Sequence, residues 1–401
     1  MKKVLIFSLQ YVPLMGGAEV AIREITNRID ADEIEFHMVT LRFDANTTKE
    51  EKIGNIYVHR IGPGDRNVSI AETFSARFYL YKILFVPLAA WKGLSLHRAL
   101  KFEGAWAMMT YMVFPLVLMR FVGVRIPYIL TLQEGDPFER VFERWRIRLF
   151  APLLFYGIRH AATIQPISNF LGAWAKKCGY TGPIQIIPNA VDTKRFGAIF
   201  APETVAQMRA TLGKKEGDVL LVTTSRLVHK NAIDDVIRAL PLLPEYVSFL
   251  IYGIGPEEEK LKALAEELSV ASRARFMGEI SHAEMPLMLA SCDVFVRPSR
   301  SEGMGNSFIE AMAAGLPVIA TQEGGISDFL FDTKRNPDMP ATGWAVDADS
   351  PEQIAEAVKN ITANPTVVSE VTATARAMVI EKYDWNKIAH DMNTLFTNLF
   401  R

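Results

Sequence analysis

Two glutamates, Glu302 and Glu310, flank the run Gly303, Met304, Gly305, Asn306, Ser307, and the second sits among Phe308, Ile309, Met312 and Ala313. Acids seldom stand in such company without a partner. The ordinary explanation is an acid in the first turns of a helix, where the macrodipole favours it. That accounts for Glu310 and leaves Glu302 and both glycines unexplained. A ligand accounts for all four. A helix starting near Gly305–Asn306 offers unpaired N–H groups to an anion, and glycines let a phosphate approach closely. Glu310 lies about one turn farther in, roughly 5–6 Å, a depth that the ribose of a bound nucleoside diphosphate can reach. A carboxylate accepting from vicinal hydroxyls is a common hold on ribose. Glu302, on the other side of the phosphates, would face a second polyhydroxyl group. The pattern reads as ribose carboxylate, phosphate cradle and sugar carboxylate, the outline of a nucleotide-sugar site.

Strand ends have to carry such a site. Short apolar runs at 3–9, 35–41, 56–61, 104–112, 127–133 and 162–168 read as buried strands, with helical patterns between several of them, such as 18–29 and 168–179. The second half repeats the scheme, with strands at 219–227, 247–255, 274–280, 293–299 and 317–321. Strands alternating with helices predict parallel sheets covered on both faces. Two such series suggest two doubly wound domains, with a junction near 186–200, and a terminal helix carries Trp385, Ile388, Met392, Leu395 and Leu399 at helical spacing.

The 401 residues suffice for two ordinary cores. Cys178 and Cys292 lack any CxxC spacing, which indicates neither a disulfide framework nor a zinc site and fits a reducing cytoplasm. The opening MKKVLIFSLQYVPLMGG is too brief in its apolar part for a signal peptide and reads as a strand entering a glycine turn. Net charge is −1 but uneven: residues 1–190 hold 23 Lys and Arg against 16 Asp and Glu, an excess of seven. Between Arg66 and Arg159 alone there are 13 basic and 6 acidic residues. This half is also rich in aromatics, so its charge suits an anionic membrane surface at least as well as nucleic acid. Region 74–98 interleaves Phe78, Tyr79, Tyr81, Phe85 and Trp91 with Arg77, Lys82, Lys92 and Arg98. It reads either as an interfacial amphipathic segment or as a helix pair on the sheet. The stretch 139–150 reads as a solvated basic helix or a contact for acceptor or membrane, and His37, His59 and His160 as structural.

The seven-residue spacing of Glu302 and Glu310, inside PSRSEGMGNSFIEAMAAGLPVIAT and followed by Glu323-Gly324-Gly325, resembles the E-x7-E signature of the family 4, group 1 retaining glycosyltransferases. GGAE (16–19), IIPNAVD (186–192), SRLVHKN (225–231), YGIGPEEEKL (252–261) and FMGEI (276–280) resemble the family's other motifs, in the family order. The resemblance implies an α/β, GT-B fold: two Rossmann-like doubly wound domains facing across a cleft. Residues 1–192 would form the acceptor side and 193–383 the nucleotide-sugar side, with helix 384–401 packing back on the first domain. It implies a hexosyltransferase moving sugar with retention from a nucleotide sugar to a glycan, glycolipid or lipid-linked acceptor, in cell-surface polysaccharide or glycolipid synthesis. Arg226, Lys230 and Glu302 would be the catalytic groups. Gly16, Gly17, Gly253, Gly255, Met277, Gly278, Ile280, Gly303, Met304, Gly305, Asn306, Ser307 and Glu310 would bind the donor, and Gln133 and Glu134 would meet the donor sugar or acceptor. The donor would be UDP- or GDP-linked ahead of ADP-linked, with no cofactor, no metal and no nucleic-acid partner. The enzyme would work in the cytoplasm, peripheral on the inner face of the membrane.

Two positions depart from the family pattern. Gln133 stands where histidine is common, and Asn231 and Ala232 stand where lysine and glycine are usual, with Lys230 one place earlier. Three rivals follow from the residues: a non-catalytic sugar-nucleotide binder, a nucleotide-sugar epimerase or phosphorylase of the same fold, and a nicotinamide oxidoreductase suggested by GIGPEE. In the last, Glu258 occupies the place of the final glycine of G-x-G-x-x-G. A D-x-D in the second half, Asp347 and Asp349, lies in a polar turn. Transfer is therefore expected to survive removal of divalent cations, and activity abolished by a chelator and restored by magnesium or manganese would overturn this.

Overall fold

The computed structural model describes residues 1–65, 76–143 and 145–400. These divide into two compact units, one of residues 1–189 with 385–401 and one of residues 190–384.

In the first unit, β1 (Lys2–Phe7), β2 (Ile34–Leu41), β3 (Glu50–Ile53), β4 (Ile56–Ile61), β5 (Gly104–Met108), β6 (Tyr128–Leu132) and β7 (Thr163–Pro166) form a sheet in the order β3-β4-β2-β1-β5-β6-β7. Its pairs are parallel except β3 with β4. In the second unit, β8 (Val219–Thr224), β9 (Val247–Tyr252), β10 (Ala274–Gly278), β11 (Val294–Arg297), β12 (Val318–Ala320) and β13 (Trp344–Ala345) form a parallel sheet in the order β10-β9-β8-β11-β12-β13. Each sheet starts in its middle. Successive strands are added first on one side of β1 or β8 and then on the other, so the strand order reverses between β1 and β5 and between β8 and β11. Crevices beyond the carboxyl ends of strands at such reversals are where open α/β sheets bind ligands.

Several elements differ from the sequence expectation. The short strands β3 and β13 carry little apolar signal and were not expected. The strand expected over 104–112 stops at Met108, because Met109 takes a positive φ of 71°. A 3-10 turn, Thr110–Met112, then leads into the helix Val113–Phe121, where Pro115 falls in the first turn and interrupts no helical hydrogen bond. Region 74–98 holds one continuous helix, Ala76–Leu100, with Pro87 inside it, instead of a helix pair. Phe85, Ala89 and Gly93 lie on its sheet side; a Cβ at Gly93 would stand 2.8 Å from Phe7 Cζ. Residues 139–150 do not form one solvated helix. The helices Phe138–Phe142 and Trp145–Arg148 are separate, and Phe138 and Phe142 are buried against Trp174, with ring centroids at 5.3 and 5.7 Å.

The terminal helix Trp385–Leu399 belongs to the first unit. Phe396 meets Phe36 and Trp106 edge-on, at 5.6 and 5.3 Å, and Ile388, Met392 and Leu395 are buried beside it. Full burial of each such side chain contributes roughly 1.5–3 kcal/mol. Gly104 is short for this reason, since its Cβ would lie 2.7 Å from Leu399 Cδ2.

A polar seam ties the Ala76–Leu100 helix to the sheet edge. Lys3 Nζ stands 3.3 Å from Glu35, whose carboxylate is 2.9 Å from His37 Nε2; His37 Nδ1 lies 3.1 Å from His59 Nε2. His59 Nδ1 reaches Glu50 at 3.3 Å, and Lys92 on the helix donates to the same Glu50 oxygen at 2.7 Å. Burial, ahead of the opposing pull of Glu35 and Glu50, holds both imidazoles below the ordinary histidine range. The unfolded chain then binds more protons than the folded one below about pH 6.5, so this contribution to stability is present above that pH and lost as pH falls. The melting temperature is expected to drop from pH 7.5 to 5.5 more steeply for the parent protein than for a His37→Gln/His59→Gln variant. Parallel drops would refute the linkage.

Candidate active site

At the reversal in the second sheet, buried polar atoms gather without partners. Among the described residues, Thr223 Oγ1, Thr224 Oγ1, Ser225 Oγ and Asn231 Oδ1 lie in and just after β8, and Arg297 Nε and Ser299 Oγ at the end of β11. Buried polar atoms are normally paired, so this collection marks the polar end of an otherwise apolar sheet. The Glu302–Glu310 segment starts from the same strand ends.

After β11 the chain turns through Glu302 to the helix Asn306–Ala313. Gly305 precedes the helix at φ 86°, and no side chain caps its start. Glu302 is fixed from several directions. Arg297 Nη2 donates to its Oε2 at 3.0 Å, the Gly303 amide donates to its Oε1 at 3.2 Å, and Lys230 Nζ stands 4.0 Å from Oε1. Its carbonyl accepts from the Gly325 amide at 3.0 Å. Gly324 beside it has φ 63°, and any side chain there would run into the Glu302 carbonyl. The Glu323-Gly324-Gly325 motif is thus a brace for Glu302. Glu310 is buried one turn into the helix, and His282 Nε2 lies 3.4 Å from its Oε1. Met304, just before the helix, and Ser307, in its first turn, are also buried.

The loop after β8 brings a second cation to Glu302. Ala232 adopts the left-handed conformation, φ 54° and ψ 39°, that makes glycine usual at this place. Asn231 turns inward and donates to the Arg226 carbonyl at 2.7 Å, so it braces the loop, whose Lys230 stands 4.0 Å from Glu302. Arg226 is exposed at the strand end. Gly253 and Gly255 serve close backbone approach: a Cβ on either would collide with the Ser225 or Leu227 carbonyl. Their absent side chains are thereby explained without a dinucleotide. Gly278, at φ 70°, has open space where its side chain would be, with Met277 and Ile280 half-buried nearby in sequence.

Three residues of this unit escaped sequence reasoning: Arg297, His282 and Arg300. Arg300 donates to Asp234 at 2.9 Å, Asp235 at 2.9 Å, Asp349 at 2.6 Å and the His229 carbonyl at 2.8 Å, and its amide donates to the Lys230 carbonyl. Burial opposes its charge, but the bonds it donates to Asp234 and Asp349 outweigh burial and raise its pKa. It locks the Lys230 loop to the end of β11. The D-x-D acids are also taken by arginines, Asp349 by Arg300 and Asp347 by Arg335 at 2.9 Å. A charged side chain ending an apolar strand was the available signal for Arg297.

The remaining expected residues lie in the first unit, at the ends of β1, β5 and β6. The Gly16 amide donates to Glu19 at 2.7 Å, where the helix Gly17–Thr26 begins. Glu134 is buried and accepts from the Thr110 and Gln133 amides at 2.7 and 3.0 Å. Burial pushes the pKa of Glu19 and Glu134 upward. Gln133 and Asn189 exchange amide hydrogen bonds at 3.0 and 3.3 Å.

Residues 205–378 match the family model "Glycosyl transferases group 1", and residues 15–195 match "Glycosyltransferase Family 4". A relative from Mycolicibacterium smegmatis, a GDP-mannose-dependent alpha-(1-6)-phosphatidylinositol monomannoside mannosyltransferase, is 32% identical over 222 residues, which are 53% of this chain and 56% of that protein. The chain thus spans about half the length of the curated relatives it matches. Over whole chains the fold matches sucrose-phosphate synthase from Thermosynechococcus elongatus, with TM-score 0.83, 19% identity and coverage of 100% and 99%. It also matches an Anabaena protein solved with UDP-glucose, with TM-score 0.77, 16% identity and coverage of 99% and 100%. The fold class is GT-B.

The two glutamates are expected to separate on mutation. Glu310→Ala should weaken binding of UDP or GDP and of the matching sugar donor alike, by ~10-fold for the lost hydroxyl bonds. Glu302→Ala should lower turnover ~100-fold and leave nucleoside diphosphate affinity within about twofold. Calorimetry showing equal losses of nucleotide affinity would contradict the division.

Proposed function

Because this chain belongs to the family 4, group 1 glycosyltransferases, we propose that it transfers a hexose, with retention, from a UDP- or GDP-sugar to a glycan, glycolipid or lipid-linked acceptor. The observation that carries this reading is the braced Glu302 carboxylate, 4.0 Å from the Lys230 ammonium, ahead of an uncapped helix start. Glu302 accepts from hydroxyls of the donor sugar, main-chain groups of 303–307 cradle the diphosphate, and Glu310 holds the ribose. Met277, Gly278 and Ile280 border the base. Lys230 and Arg226 stabilise the negative charge that grows on the diphosphate as the glycosidic bond breaks. The acceptor hydroxyl attacks the anomeric carbon on the face from which the diphosphate departs, and a departing phosphate oxygen takes its proton. No nucleophile from the protein is required. In the first unit, Gly16 and Gly17 offer a helix start suited to an anion, and Gln133 an amide that both donates and accepts.

The acceptor side works at an anionic membrane surface on its cytoplasmic face. The helix Ala76–Leu100 supports this reading with an apolar stripe at i, i+4, i+8 and i+11: Leu80, Leu84, Leu88 and Trp91 are all exposed, Trp91 by 68%, and Ile83 lies beside them. This is the side of the helix away from Phe85, Ala89 and Gly93. Phe85, expected from sequence to meet the interface, is a core residue instead, and the exposed aliphatics take its place. Leu149 and Phe150 are exposed after Arg148. Arg66, Glu72, Arg144 and the side chains of Arg77, Phe78, Tyr79 and Arg146 lie outside the described residues. Among those described, no helix is long and apolar enough to cross a membrane. Each basic residue close to an anionic leaflet adds about 1 kcal/mol, and the apolar stripe adds interfacial burial.

Thermal-shift screening should single out one UDP- or GDP-sugar, and the protein should then release that nucleoside diphosphate during transfer; binding without turnover over glycan and lipid acceptors would favour the binder. The protein should float with phosphatidylglycerol vesicles at low salt and detach as salt rises. Leu84→Glu/Leu88→Glu should weaken flotation by at least ~10-fold while nucleotide binding is kept. Absence of flotation at low ionic strength would point to a soluble acceptor.

A further inference from the structure

Arg297 ends β11 with its guanidinium under the Glu302–Ser307 loop, only 6% of its side chain accessible. Removing a charge from water costs several kcal/mol unless its partners are well placed, and Arg297 Nε is left without one. Burial accordingly lowers its pKa, against the opposing fields of Glu302 and Glu310. A chain that needed only to fill this space had apolar choices. What the guanidinium does instead is divide its fork between two residues of the loop. Nη2 donates to Glu302 Oε2 at 3.0 Å and Nη1 donates to Ser307 Oγ at 2.8 Å. Its plane is supported by the Phe308 ring, 4.1 Å from Cζ to the centroid, and Phe308 is itself held edge-on by Phe295. The loop is shaped around it: a Cβ at Gly305 would stand 2.6 Å from Nη2. The glycine explained above as giving room to a phosphate is therefore required from below as well.

We propose that Arg297 is a positioning residue for sugar transfer, holding the Glu302 carboxylate in the orientation that receives the donor sugar while Ser307 keeps the fork in place. The inference rests on the reading of Glu302 as the donor-sugar carboxylate. With Oε2 bound to Arg297 and Oε1 to the Gly303 amide, the carboxylate cannot rotate, and its remaining lone pairs point where those two bonds leave them. A lysine at 297 keeps the positive charge beneath the phosphates but has no planar fork, so it cannot bond both Glu302 and Ser307 in this geometry.

A double-mutant cycle tests this. Release of nucleoside diphosphate is measured with UDP-glucose and GDP-mannose for the parent, Arg297→Lys, Glu302→Ala and the double variant, alongside melting temperature and affinity for UDP and GDP. Arg297→Lys should lower turnover ~10–100-fold and leave nucleoside diphosphate affinity within about threefold. In the Glu302→Ala background the same change should cost less than about threefold, because the group it positions is gone. Ser307→Ala, which leaves the charge and the stacked ring in place, should give a milder loss, ~3–10-fold, again only while Glu302 is present. Losses that multiply equally in both backgrounds would overturn the proposal and assign Arg297 to the fold alone. Turnover unchanged in Glu302→Ala would instead remove the donor-sugar reading of Glu302, an outcome the cycle shows separately.

Discussion

A parallel sheet begun in its middle imposes one constraint from which the site follows. The connections from β8 and from β11 must leave toward opposite sides, so neither connection covers the carboxyl ends of these two neighbours. Polar groups collected there can meet a ligand, and the helix starting after β11 aims its first amides into the same space. Lys230 arrives on the loop from β8 and Glu302 on the loop from β11. Their approach to 4.0 Å is a result of the sheet order, since 72 positions separate them in the chain.

Holding such loops still is a separate problem, and this protein solves it with two arginines, one of them buried. Arg300 joins the β8 loop to the end of β11 through three carboxylates and two main-chain contacts; Arg297 joins the end of β11 to the first helical turn. Both use the planar fork of guanidinium to fix two directions at once. The glycines act as the complement of these forks: Gly305 clears the guanidinium of Arg297, Gly324 clears the Glu302 carbonyl, and Gly253 and Gly255 clear the loop after β8.

The first unit shows the same sheet plan turned to another use. The ends of β1, β5 and β6 carry buried acids, Glu19 and Glu134, whose oxygens accept main-chain amides and so brace the Gly16 turn and the strand ends. On its flank, one helix presents an apolar stripe outward and an equally apolar face inward, with Lys92 tied to the edge of the sheet through Glu50. A helix that is apolar on two sides has two surfaces to satisfy, and the sheet satisfies only one of them.

Sequence alone determined much of this. Alternating apolar runs and amphipathic stretches specify two parallel sheets, because parallel strands are buried on both faces and need covering helices. The spacing of Glu302 and Glu310 across a glycine-rich turn specifies a helix start with a carboxylate at each side, because helical geometry is local. Boundaries that depend on a single backbone angle were not legible: β5 stops at Met108 because Met109, a residue with no tendency toward it, takes a positive φ. Phe85 and Leu84 look alike in a one-dimensional pattern, and only packing on Phe7 and Met119 makes one face of that helix core and the other surface. Arg300 and His282 were invisible as site residues for the same reason, and Arg297 showed only as a charge ending an apolar strand. Their partners are distant in sequence or on the far side of a turn, and a buried charge reveals its role only when the group that compensates it is in place.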